Sequence, residues 1–308
     1  MMGILVPVLL AAAAGSVGAG PQAPLERGSA RFQIDAVAVD RKGAPVVDLR
    51  AEELEVWIGH FRVPIETFAV VTPATDAGRL TVLVLDDVTV PLAYGARGKD
   101  AARRFVNRML PGDRMAVVTL NGSTMESTDD KARLLRMIDA APLQSAGLIP
   151  LDRLGEHVLK TVGALSRQMA EASDRRKTIV AIGSGWLFDR PIPPPAAGLD
   201  PRKDWIAAMQ AMAVANVNLY VIDPAGLATR AADTGGSGFA RETGGLAFVS
   251  TNDINGAVDR ILRESANYYL LGVGDPPVGR GADLRELDVR VLRRGVTVRA
   301  RKTIVGGT

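Results

Sequence analysis

The sequence predicts an α/β fold, with a doubly wound, mostly parallel β-sheet and a small accessory β-sheet built from the N- and C-terminal flanks. Two observations carry this prediction. Between residues 79 and 265, short apolar segments alternate with longer amphipathic ones, which is the order of strands and crossover helices in a parallel sheet. Before and after that region, apolar residues recur with a period of two, which is typical of half-buried strands.

The two flanks, residues 28–76 and 266–308, are predicted to consist of short strands. In the first flank, the expected strands are residues 32–39, 54–58 and 63–71, with turns at 41–45 and at Gly59-His60. In the second flank, the expected strands are residues 268–273, 287–292 and 296–304. A module as small as either flank buries little apolar surface alone, so we expect the flanks to pair with each other.

The central region, residues 79–265, is predicted to hold the parallel sheet. Its first strand, residues 80–85, is a continuous apolar run, which indicates a strand covered on both faces. Further strands are expected at residues 115–120, 178–182, 219–222 and 246–249. Helices are expected at residues 98–109, after an N-cap at Thr128, at 153–171, after Asp200-Pro201, near Ala240 and at 253–264.

Composition excludes several classes of site. The chain has 308 residues, no Cys and two His, which are His60 and His157. Without thiolates there is no zinc–cysteine site, iron–sulfur cluster or disulfide. A serine hydrolase would need one of the two His, and Ser184 does not stand in a Gly-x-Ser-x-Gly turn. The formal charge, 37 basic minus 34 acidic residues or +3, is too small to predict a nucleic-acid partner.

Residues 1–19 are predicted to form a cleaved signal peptide. Residues 4–14 are apolar and uncharged, and the small residues that follow include a cleavage tripeptide, Val17-Gly18-Ala19. No Lys or Arg precedes the apolar stretch, which departs from the usual signal. The stretch is shorter than the roughly 20 residues of a membrane span. We therefore expect a periplasmic or secreted protein with no transmembrane segment.

Two acidic residues follow the first strand of the predicted parallel sheet. The ligand crevice of such a sheet lies at the carboxyl ends of its strands. Asp86 and Asp87 stand where a dinucleotide site needs glycines, so neither NAD nor FAD is expected. Clustered carboxylates and hydroxyls favour a hard cation, Mg²⁺ or Ca²⁺. In the alternative interpretation, Asp87 only caps the segment that follows.

Several short motifs, taken in order, resemble von Willebrand factor type A domains, in particular the exported bacterial VWFA-related subfamily. The motifs in the central region are Leu110–Thr119, Arg176–Gly185, Leu219–Leu227 and Glu242–Gly245, and Tyr268–Gly272 follows at the start of the second flank. Those in the first flank are Val39–Gly43 and Asp48-Leu49. The resemblance covers nearly the whole mature chain, and it implies a Rossmann-like α/β domain at residues 79–265 between the two β flanks.

The resemblance also implies a metal-ion-dependent adhesion site. In that family, an Asp-x-Ser-x-Ser loop, a Thr and a further Asp hold the ion, and a carboxylate of the partner completes its coordination. Two registers are open on this chain. The two hydroxyl positions are filled by Val88 and Val90 if Asp86 comes first, or by Thr89 and Pro91 if Asp87 comes first.

Thr128 takes the place of the family's Thr, and Ser184 replaces its last Asp. The resulting degenerate site consists of Asp86, Asp87, Thr89, Thr128 and Ser184. Because Mg²⁺ demands near-octahedral geometry, we expect no cofactor and weak or absent binding of Mg²⁺ or Ca²⁺. Asp189 and Asp223 also lie near predicted strand ends and are the candidate substitute ligands.

The leading functional hypothesis is an exported, non-enzymatic binding module of the adhesion or scaffold kind. It would recognise a protein partner, in the cell envelope or outside the cell, at the strand-end crevice and through the loops at 190–201 and 225–238. The alternative is a haloacid-dehalogenase-like, Mg²⁺-dependent phosphoryl-transfer enzyme that uses Asp86 and Asp87. Such enzymes need Asp-x-Asp, and Val88 occupies the second Asp position.

The end of the chain offers a third interpretation. From Arg285 to Lys302 there are seven basic and two acidic residues, a local charge of 7 minus 2, or +5. This segment could contact an acidic partner or an anionic surface. The alternating strand pattern favours a simpler interpretation, in which the basic residues form a solvated sheet face.

Overall fold

A computed structural model describes residues 32–75, 78–122, 124–142, 149, 153–172, 175–184, 201–228, 236–274 and 284–305. The predicted signal peptide, Asp189, residues 190–200 of the first predicted binding loop and residues 229–235 of the second lie outside the described residues. Among the residues that are described, no helix is both long and apolar enough to span a membrane.

The described chain contains thirteen β-strands and six α-helices. The strands are β1 (Phe32–Asp40), β2 (Leu54–Ile58), β3 (Phe61–Val63), β4 (Ile65–Val71), β5 (Arg79–Leu85), β6 (Arg114–Thr119), β7 (Arg176–Ile182), β8 (Val217–Ile222), β9 (Ala247–Phe248), β10 (Tyr268–Val273), β11 (Leu284–Val291), β12 (Val296–Arg299) and β13 (Thr303–Val305). The helices are α1 (Leu92–Asn107), α2 (Lys131–Ala140), α3 (Leu154–Met169), α4 (Pro201–Ala215), α5 (Gly236–Glu242) and α6 (Ile254–Ala266).

Five parallel strands form the central sheet in the order β6-β5-β7-β8-β9. Helices α3, α4 and α5 cover one face, and α1, α2 and α6 cover the other, so each face has its own hydrophobic core. The central strand β7 is buried along its whole length, as a continuous apolar run predicts. The predicted doubly wound α/β architecture is confirmed.

Helix α1 begins at Leu92, two turns before the predicted start at Gly98. Glycines at 95 and 98 weaken the helical signal of these first turns. Both glycines are buried, and a Cβ on Gly98 would lie 3.3 Å from Cγ2 of Ile182. Packing of α1 close to β7 therefore explains the glycines. In α2, the N-cap is Asp130 rather than Thr128, because the Asp130 carboxylate accepts a hydrogen bond from the Arg133 amide at 2.9 Å.

The two flanks pair with each other, but in two antiparallel sheets rather than the single sheet expected. Their strand orders are β12-β1-β10-β4 and β13-β11-β2-β3. Strands from both sheets contribute to one hydrophobic core, so the sheets form a sandwich. Two predicted strands are each split between the sheets: residues 63–71 break at Pro64, and residues 296–304 break at 300–302. Proline cannot donate to a strand ladder, which explains the first break.

The sandwich joins the parallel sheet at the amino ends of the parallel strands. Arg176, the first residue of β7, has a fully buried side chain 3.7 Å from the carboxylate of Asp35 on β1. The Arg176 guanidinium carbon also lies 4.2 Å from the centre of the Tyr268 ring. The side-chain amide of Asn216 donates a hydrogen bond from Nδ2 to Asp35 Oδ1 at 2.9 Å. A buried ion pair with an aromatic neighbour thus links the two parts.

A second buried arginine lies at the same joint. The guanidinium of Arg301 donates to the carbonyl oxygens of Met212 and Val217, both at 3.2 Å. Burial lowers the pKa of Arg301 to about 10. Arg299, two residues earlier, pairs with the buried Glu264 of α6. The C-terminal segment therefore inserts its cations into the joint.

The Glu242–Gly245 turn holds this C-terminal segment against β8. The Thr243 hydroxyl donates to the Ala240 carbonyl and accepts from the Leu219 amide, both at 2.8 Å. A Cβ on Gly245 would lie 1.7 Å from the Leu219 carbonyl oxygen, so only glycine fits there. Arg299 donates to the Gly244 carbonyl at 2.9 Å. The motif that resembles the type A family thus has a packing role.

The basic residues between Arg285 and Lys302 do not form one solvated face. Arg301 is buried, and Arg299 is 15% exposed and paired with Glu264. Arg293 forms ion pairs with Asp48 and Glu53 at 2.7 Å. Arg290 pairs with Asp288 at 2.7 Å. Arg290, Arg293 and Arg299 therefore each have an acidic partner, and Arg301 is enclosed by the fold.

A third buried arginine, Arg79, holds together the two ends of the central region. It begins β5 and forms a buried ion pair with Asp113, in which Nε donates to Oδ1 at 3.0 Å. Its Nη1 donates to Ser265 Oγ at 3.2 Å and to the Leu262 carbonyl at 3.3 Å, both at the end of α6. Burial is the largest single influence and raises the pKa of Asp113, but the hydrogen bonds and charge of Arg79, together with the Leu110 amide, outweigh burial and hold that pKa below its usual value.

We predict that Asp113→Asn lowers the free energy of unfolding by about 3–5 kcal/mol, because it leaves a buried guanidinium without its anion. The matched control is Asp139→Asn, which breaks an Arg–Asp pair whose side chains are 37% and 59% exposed. For this exposed pair the expected loss is about 0–1 kcal/mol. Urea denaturation at neutral pH measures both, and similar losses would contradict the prediction.

The pH dependence follows from the lowered pKa of Asp113. Its contribution to stability is complete above the unfolded carboxyl pKa of about 4, and it is lost as pH falls through the lower folded value. We therefore expect the wild type to lose stability below pH about 4 more steeply than Asp113→Asn does. Parallel stability curves for the two proteins would refute this assignment.

Candidate functional site

The carboxyl ends of the parallel strands β5, β7, β8 and β9 lie side by side at the end of the sheet that faces away from the sandwich. Main-chain hydrogen bonds continue one residue past the strands: the Asp86 amide donates to the Ile182 carbonyl at 3.0 Å, and the Gly183 amide donates to the Ile222 carbonyl at 2.9 Å. The Asp223 amide donates to the Phe248 carbonyl at 3.0 Å. This ladder places Asp86, Gly183 and Asp223 side by side in one row.

The Asp86 carboxylate closes the loop that follows β5. Its Oδ1 accepts hydrogen bonds from the amides of Val88 at 3.0 Å and Thr89 at 2.8 Å, and its Oδ2 accepts from the Thr89 hydroxyl. Such a bond to the chain two residues on is an Asx turn. Asp86 is 4% exposed. The structure thus brings Asp86 and Thr89 together, with both carboxylate oxygens in use as hydrogen-bond acceptors.

Gly183 lets the Asp86 side chain lie against the neighbouring strand end. A Cβ on Gly183 would lie 2.3 Å from the Asp86 Cβ and 2.5 Å from its Oδ2. No side chain fits in that space unless the Asp86 loop moves. The glycine is therefore required by the close approach of the two strand ends.

Asp87 pairs with Asn121, a residue that the sequence analysis missed. Its two carboxylate oxygens accept hydrogen bonds from the Asn121 main-chain amide and from Nδ2, both at 3.1 Å. Asn121 comes two residues after β6 ends, so the strand-end rule that singled out Asp87 also points to it. A ring nitrogen of His157, on α3, lies 2.6 Å from the Leu120 carbonyl oxygen and anchors the helix at this strand end.

Ser184 contacts Asp223, one of the two substitute ligands that the sequence suggested. The Ser184 hydroxyl donates to Asp223 Oδ1 at 2.7 Å, and the same oxygen accepts from the Ala225 amide at 2.9 Å. Asp223 is fully buried. Ser184 and Asp223 are therefore linked directly, and the row on the sheet edge places this pair beside Asp86.

Thr128 does not belong to this cluster. Its amide and carbonyl pair with Met115, near the amino end of β6. Met115 is in register with Thr81, four residues before Leu85, which corresponds to roughly 13 Å along a strand. The chain turns back after β6, so that Thr128 lies beside the amino end of that strand. Thr128 is therefore at the end of the sheet opposite to Asp86. Its hydroxyl accepts from the Asp130 amide at 3.1 Å.

Among the described residues, a cavity of about 20 Å³ adjoins the Asp86 side chain, which is roughly room for one water molecule. Its lining consists of Leu85, Asp86, Val90, Gly95, Gly98, Lys99, Pro142 and Ile182. In the described part of the chain, no group of three or more His, Asp or Glu is arranged to hold a metal ion.

Two exposed leucines stand on the rim of the strand-end crevice. Leu92, at the start of α1, is 60% exposed, and Leu227, in the segment after β8, is 67% exposed. The two segments touch, because Arg97 of α1 donates to the Pro224 carbonyl at 3.2 Å. Pro91 and residue 93 are exposed as well. The rim therefore carries apolar side chains above a tightly connected polar row.

No protein-family model matches the chain, and no curated protein matches it in sequence. Among solved structures, the SpRpn10 VWA domain is similar with a TM-score of 0.33 and 18% identity, over 47% of this chain and 74% of that chain. Manganese-loaded Plasmodium vivax TRAP protein gives a TM-score of 0.39 and 14% identity, over 77% and 96%. The TFIIH p34 N-terminal domain gives 0.33 and 12%, over 61% and 98%. Scores this low do not establish a relationship, so the fold assignment rests on the strand order and pairing described above.

We predict that Gly183→Ala lowers the free energy of unfolding by about 1–3 kcal/mol, because the added methyl group overlaps the Asp86 side chain. Gly163→Ala is the matched control. Gly163 lies in the middle of α3, and a Cβ there meets nothing nearer than 3.4 Å. In a helix this change is neutral or stabilises by up to about 1 kcal/mol. Thermal or urea unfolding compares the two, and equal stabilities would show that the strand ends are not in contact.

Proposed function

We propose that this chain is a non-enzymatic protein-binding module whose partner docks on the strand-end rim. One observation carries the proposal: exposed Leu92 and Leu227 stand on the same rim, on segments that Arg97 connects. Exposed apolar side chains that are grouped on one part of a surface favour a protein-binding site. The polar row beneath supports the rim, since Asp86, Asp87 and Asp223 each accept hydrogen bonds from neighbouring residues.

We further propose that the module works with weak or no dependence on Mg²⁺ or Ca²⁺. Both oxygens of Asp86 and both oxygens of Asp87 already accept hydrogen bonds from protein donors. A cation would have to share these oxygens with donors such as the Thr89 and Val88 amides, whose N–H groups cannot themselves ligate it. With Thr128 at the far edge of the sheet, a hydroxyl of the family's site is lost as well. These residues do not fit a tight octahedral site.

The phosphoryl-transfer alternative is not favoured. A nucleophilic carboxylate must face its substrate, whereas the Asp86 carboxylate is turned into its own loop. The position of the second catalytic acid is taken by Val88, which packs against the hydrophobic core. In the described part of the chain, the cavity that adjoins Asp86, about 20 Å³, is far smaller than the few hundred Å³ of a typical ligand pocket.

Export remains part of the proposal and rests on the sequence. The apolar stretch at residues 4–14 and the small residues up to Ala19 support a cleaved signal. On this basis the partner belongs to the cell envelope or lies outside the cell. We expect the protein recovered after export to begin at Gly20, as N-terminal sequencing or intact mass would show. An exported protein that keeps Met1 would refute cleavage.

We predict that the double variant Leu92→Asp, Leu227→Asp loses the partner. The test is a quantitative pull-down from an envelope extract of the source cell, followed by titration with the captured protein. The matched control is Val214→Asp, because Val214 is also exposed, at 72%. It lies at the end of α4, next to the amino end of β8 and therefore away from the strand-end rim. We expect the double variant to weaken binding at least about tenfold and the control to leave it unchanged. Equal binding by all three proteins would exclude the rim.

Calorimetric titration with Mg²⁺, Mn²⁺ and Ca²⁺ tests the metal proposal. We expect weak or undetectable heats for the wild type and no change in Asp86→Asn. Tight binding that Asp86→Asn abolishes would overturn the proposal. The same two proteins are assayed on a generic phosphoester with Mg²⁺, where turnover that requires Asp86 would instead support the enzyme.

A further inference from the structure

Five polar residues lie together where the sandwich meets the parallel sheet, and we call them the joint cluster. They are Asp35 on β1, Arg176 and Thr178 on β7, Asn216 directly before β8, and Asn218 on β8. Asn216 is half-buried, and the other four are buried. Because residues two apart on a strand share a face, Arg176 and Thr178 lie on the same face of β7. Thr178 is also the pairing partner of Asn218.

Arg176 makes no hydrogen bond to the described part of the chain, although its side chain is fully buried. Its three nitrogens, Nε, Nη1 and Nη2, all lack a hydrogen-bond partner. The nearest carboxylate oxygen, Asp35 Oδ2, is 3.7 Å from Nε, which is too far for a hydrogen bond. Asp35 Oδ2 has no hydrogen-bond partner of its own. The two ions therefore attract each other without direct bonding.

The other members of the joint cluster repeat this pattern. Thr178 Oγ1, Asn216 Oδ1 and Asn218 Oδ1 are buried and without a hydrogen-bond partner among the described residues. The described chain contains eleven such side-chain atoms, and seven of them belong to the joint cluster, so a shared cause is needed. In native proteins nearly all buried polar groups have a hydrogen-bond partner, from the protein or from ordered solvent. The concentration of these atoms therefore indicates a bound ligand.

The chemistry of the seven atoms specifies that ligand. The guanidinium nitrogens of Arg176 can only donate hydrogen bonds, whereas the oxygens of Asp35, Asn216 and Asn218 accept them. An anion would satisfy Arg176, but it would be repelled by Asp35 and could not donate to the three oxygens. A metal cation would be repelled by Arg176. Water both donates and accepts, and a buried water molecule typically makes about three hydrogen bonds.

We propose that the joint cluster binds a group of about two or three ordered internal water molecules, which link Arg176 to Asp35 and to the side chains of Thr178 and Asn218. These molecules connect the sandwich to the parallel sheet through hydrogen bonds that the protein atoms do not make directly. The site lies at the amino ends of the parallel strands. It does not depend on the function proposed for the strand-end rim.

Thr178→Val distinguishes a hydrated cluster from a dry one, because Val has nearly the shape of Thr but no hydroxyl. If water binds the hydroxyl, the variant loses a hydrogen bond, and its melting temperature falls by on the order of 2 °C. The matched control is Ser166→Ala on α3. The Ser166 hydroxyl is also buried without a partner, but it stands outside the joint cluster, between Val162 and Met169 of an apolar core.

Removing a dry, unpaired hydroxyl leaves the melting temperature unchanged or raises it, and this is the result expected for Ser166→Ala. A Thr178→Val protein that melts at or above the wild-type temperature would overturn the proposal.

Oxygen-17 magnetic relaxation dispersion counts long-lived internal water molecules directly. The variant Asp35→Leu, Arg176→Met replaces the buried ion pair by apolar side chains, a change that folded proteins often tolerate. We expect it to lose about two or three long-lived water molecules relative to the wild type. The control Arg103→Met, Asp139→Leu replaces an ion pair whose side chains are 37% and 59% exposed, and it should lose none.

Equal water counts in the wild type and the Asp35→Leu, Arg176→Met variant would contradict the proposal. If that variant does not fold, the same count is made on Thr178→Val, which is expected to lose about one water molecule. An unchanged count there would have the same meaning.

A bound anion is the competing outcome. The melting temperatures of the wild type and of Thr178→Val are compared in sodium chloride and in sodium gluconate at equal ionic strength. Bound water predicts the same difference between the two proteins in both salts. Stabilisation of the wild type by chloride that the Asp35→Leu, Arg176→Met variant lacks would identify an anion site and overturn the proposal.

Discussion

A buried guanidinium at the base of β7 determines how the two parts of this molecule are joined. The Arg176 side chain is entirely buried between Asp35 and the ring of Tyr268. An ion that deep is tolerated only while its partner is present, and removing one member of such a pair costs about 3–5 kcal/mol. The sandwich supplies the carboxylate, and the parallel sheet supplies the cation. Separating the sandwich from the parallel sheet would therefore leave Arg176 and Asp35 without their ionic partners.

This joint explains why the candidate site lies where it does. The sandwich occupies the amino ends of the parallel strands, through Arg176, Arg301 and the Glu242–Gly245 turn. The carboxyl ends are left for loops, and hydrogen bonds to Asp86, Asp87 and Asp223 hold the described parts of these loops. The polar groups that a metal site would need are used to hold these loops. These carboxylates thus stabilise the loops that carry the rim.

Periodicity was sufficient to predict the parallel sheet, since the runs at 80–85, 178–182 and 219–222 are buried on both faces in the structure. It also placed Asp86 and Asp87 at a strand end. It failed where position depends on the path of a loop. The sequence around Thr128 carries no signal that the chain doubles back along β6. Asn121, the partner of Asp87, directly follows a predicted strand and could have been found by the strand-end rule.

The C-terminal segment shows a second limit. The alternation of apolar and polar residues from 296 to 304 predicts one strand whose basic side chains face the solvent. In the structure, the chain changes sheets at 300–302, and Arg299 and Arg301 enter the joint. The local pattern of apolar and polar residues predicts a strand, but it does not predict which other segments of the chain pack against that strand. Tertiary packing against the Glu242–Gly245 turn overrides the local expectation.

The sandwich is assembled from segments that lie far apart along the chain, and this has a consequence for folding. Closing a loop as long as residues 72–267 costs an entropy on the order of 5 kcal/mol if that loop is a random coil. Arg79 contacts Ser265 and the Leu262 carbonyl, so a folded central region already holds its two ends together. The order of events is thereby constrained: the inserted region is expected to fold first and to act as the template on which the two flanks meet.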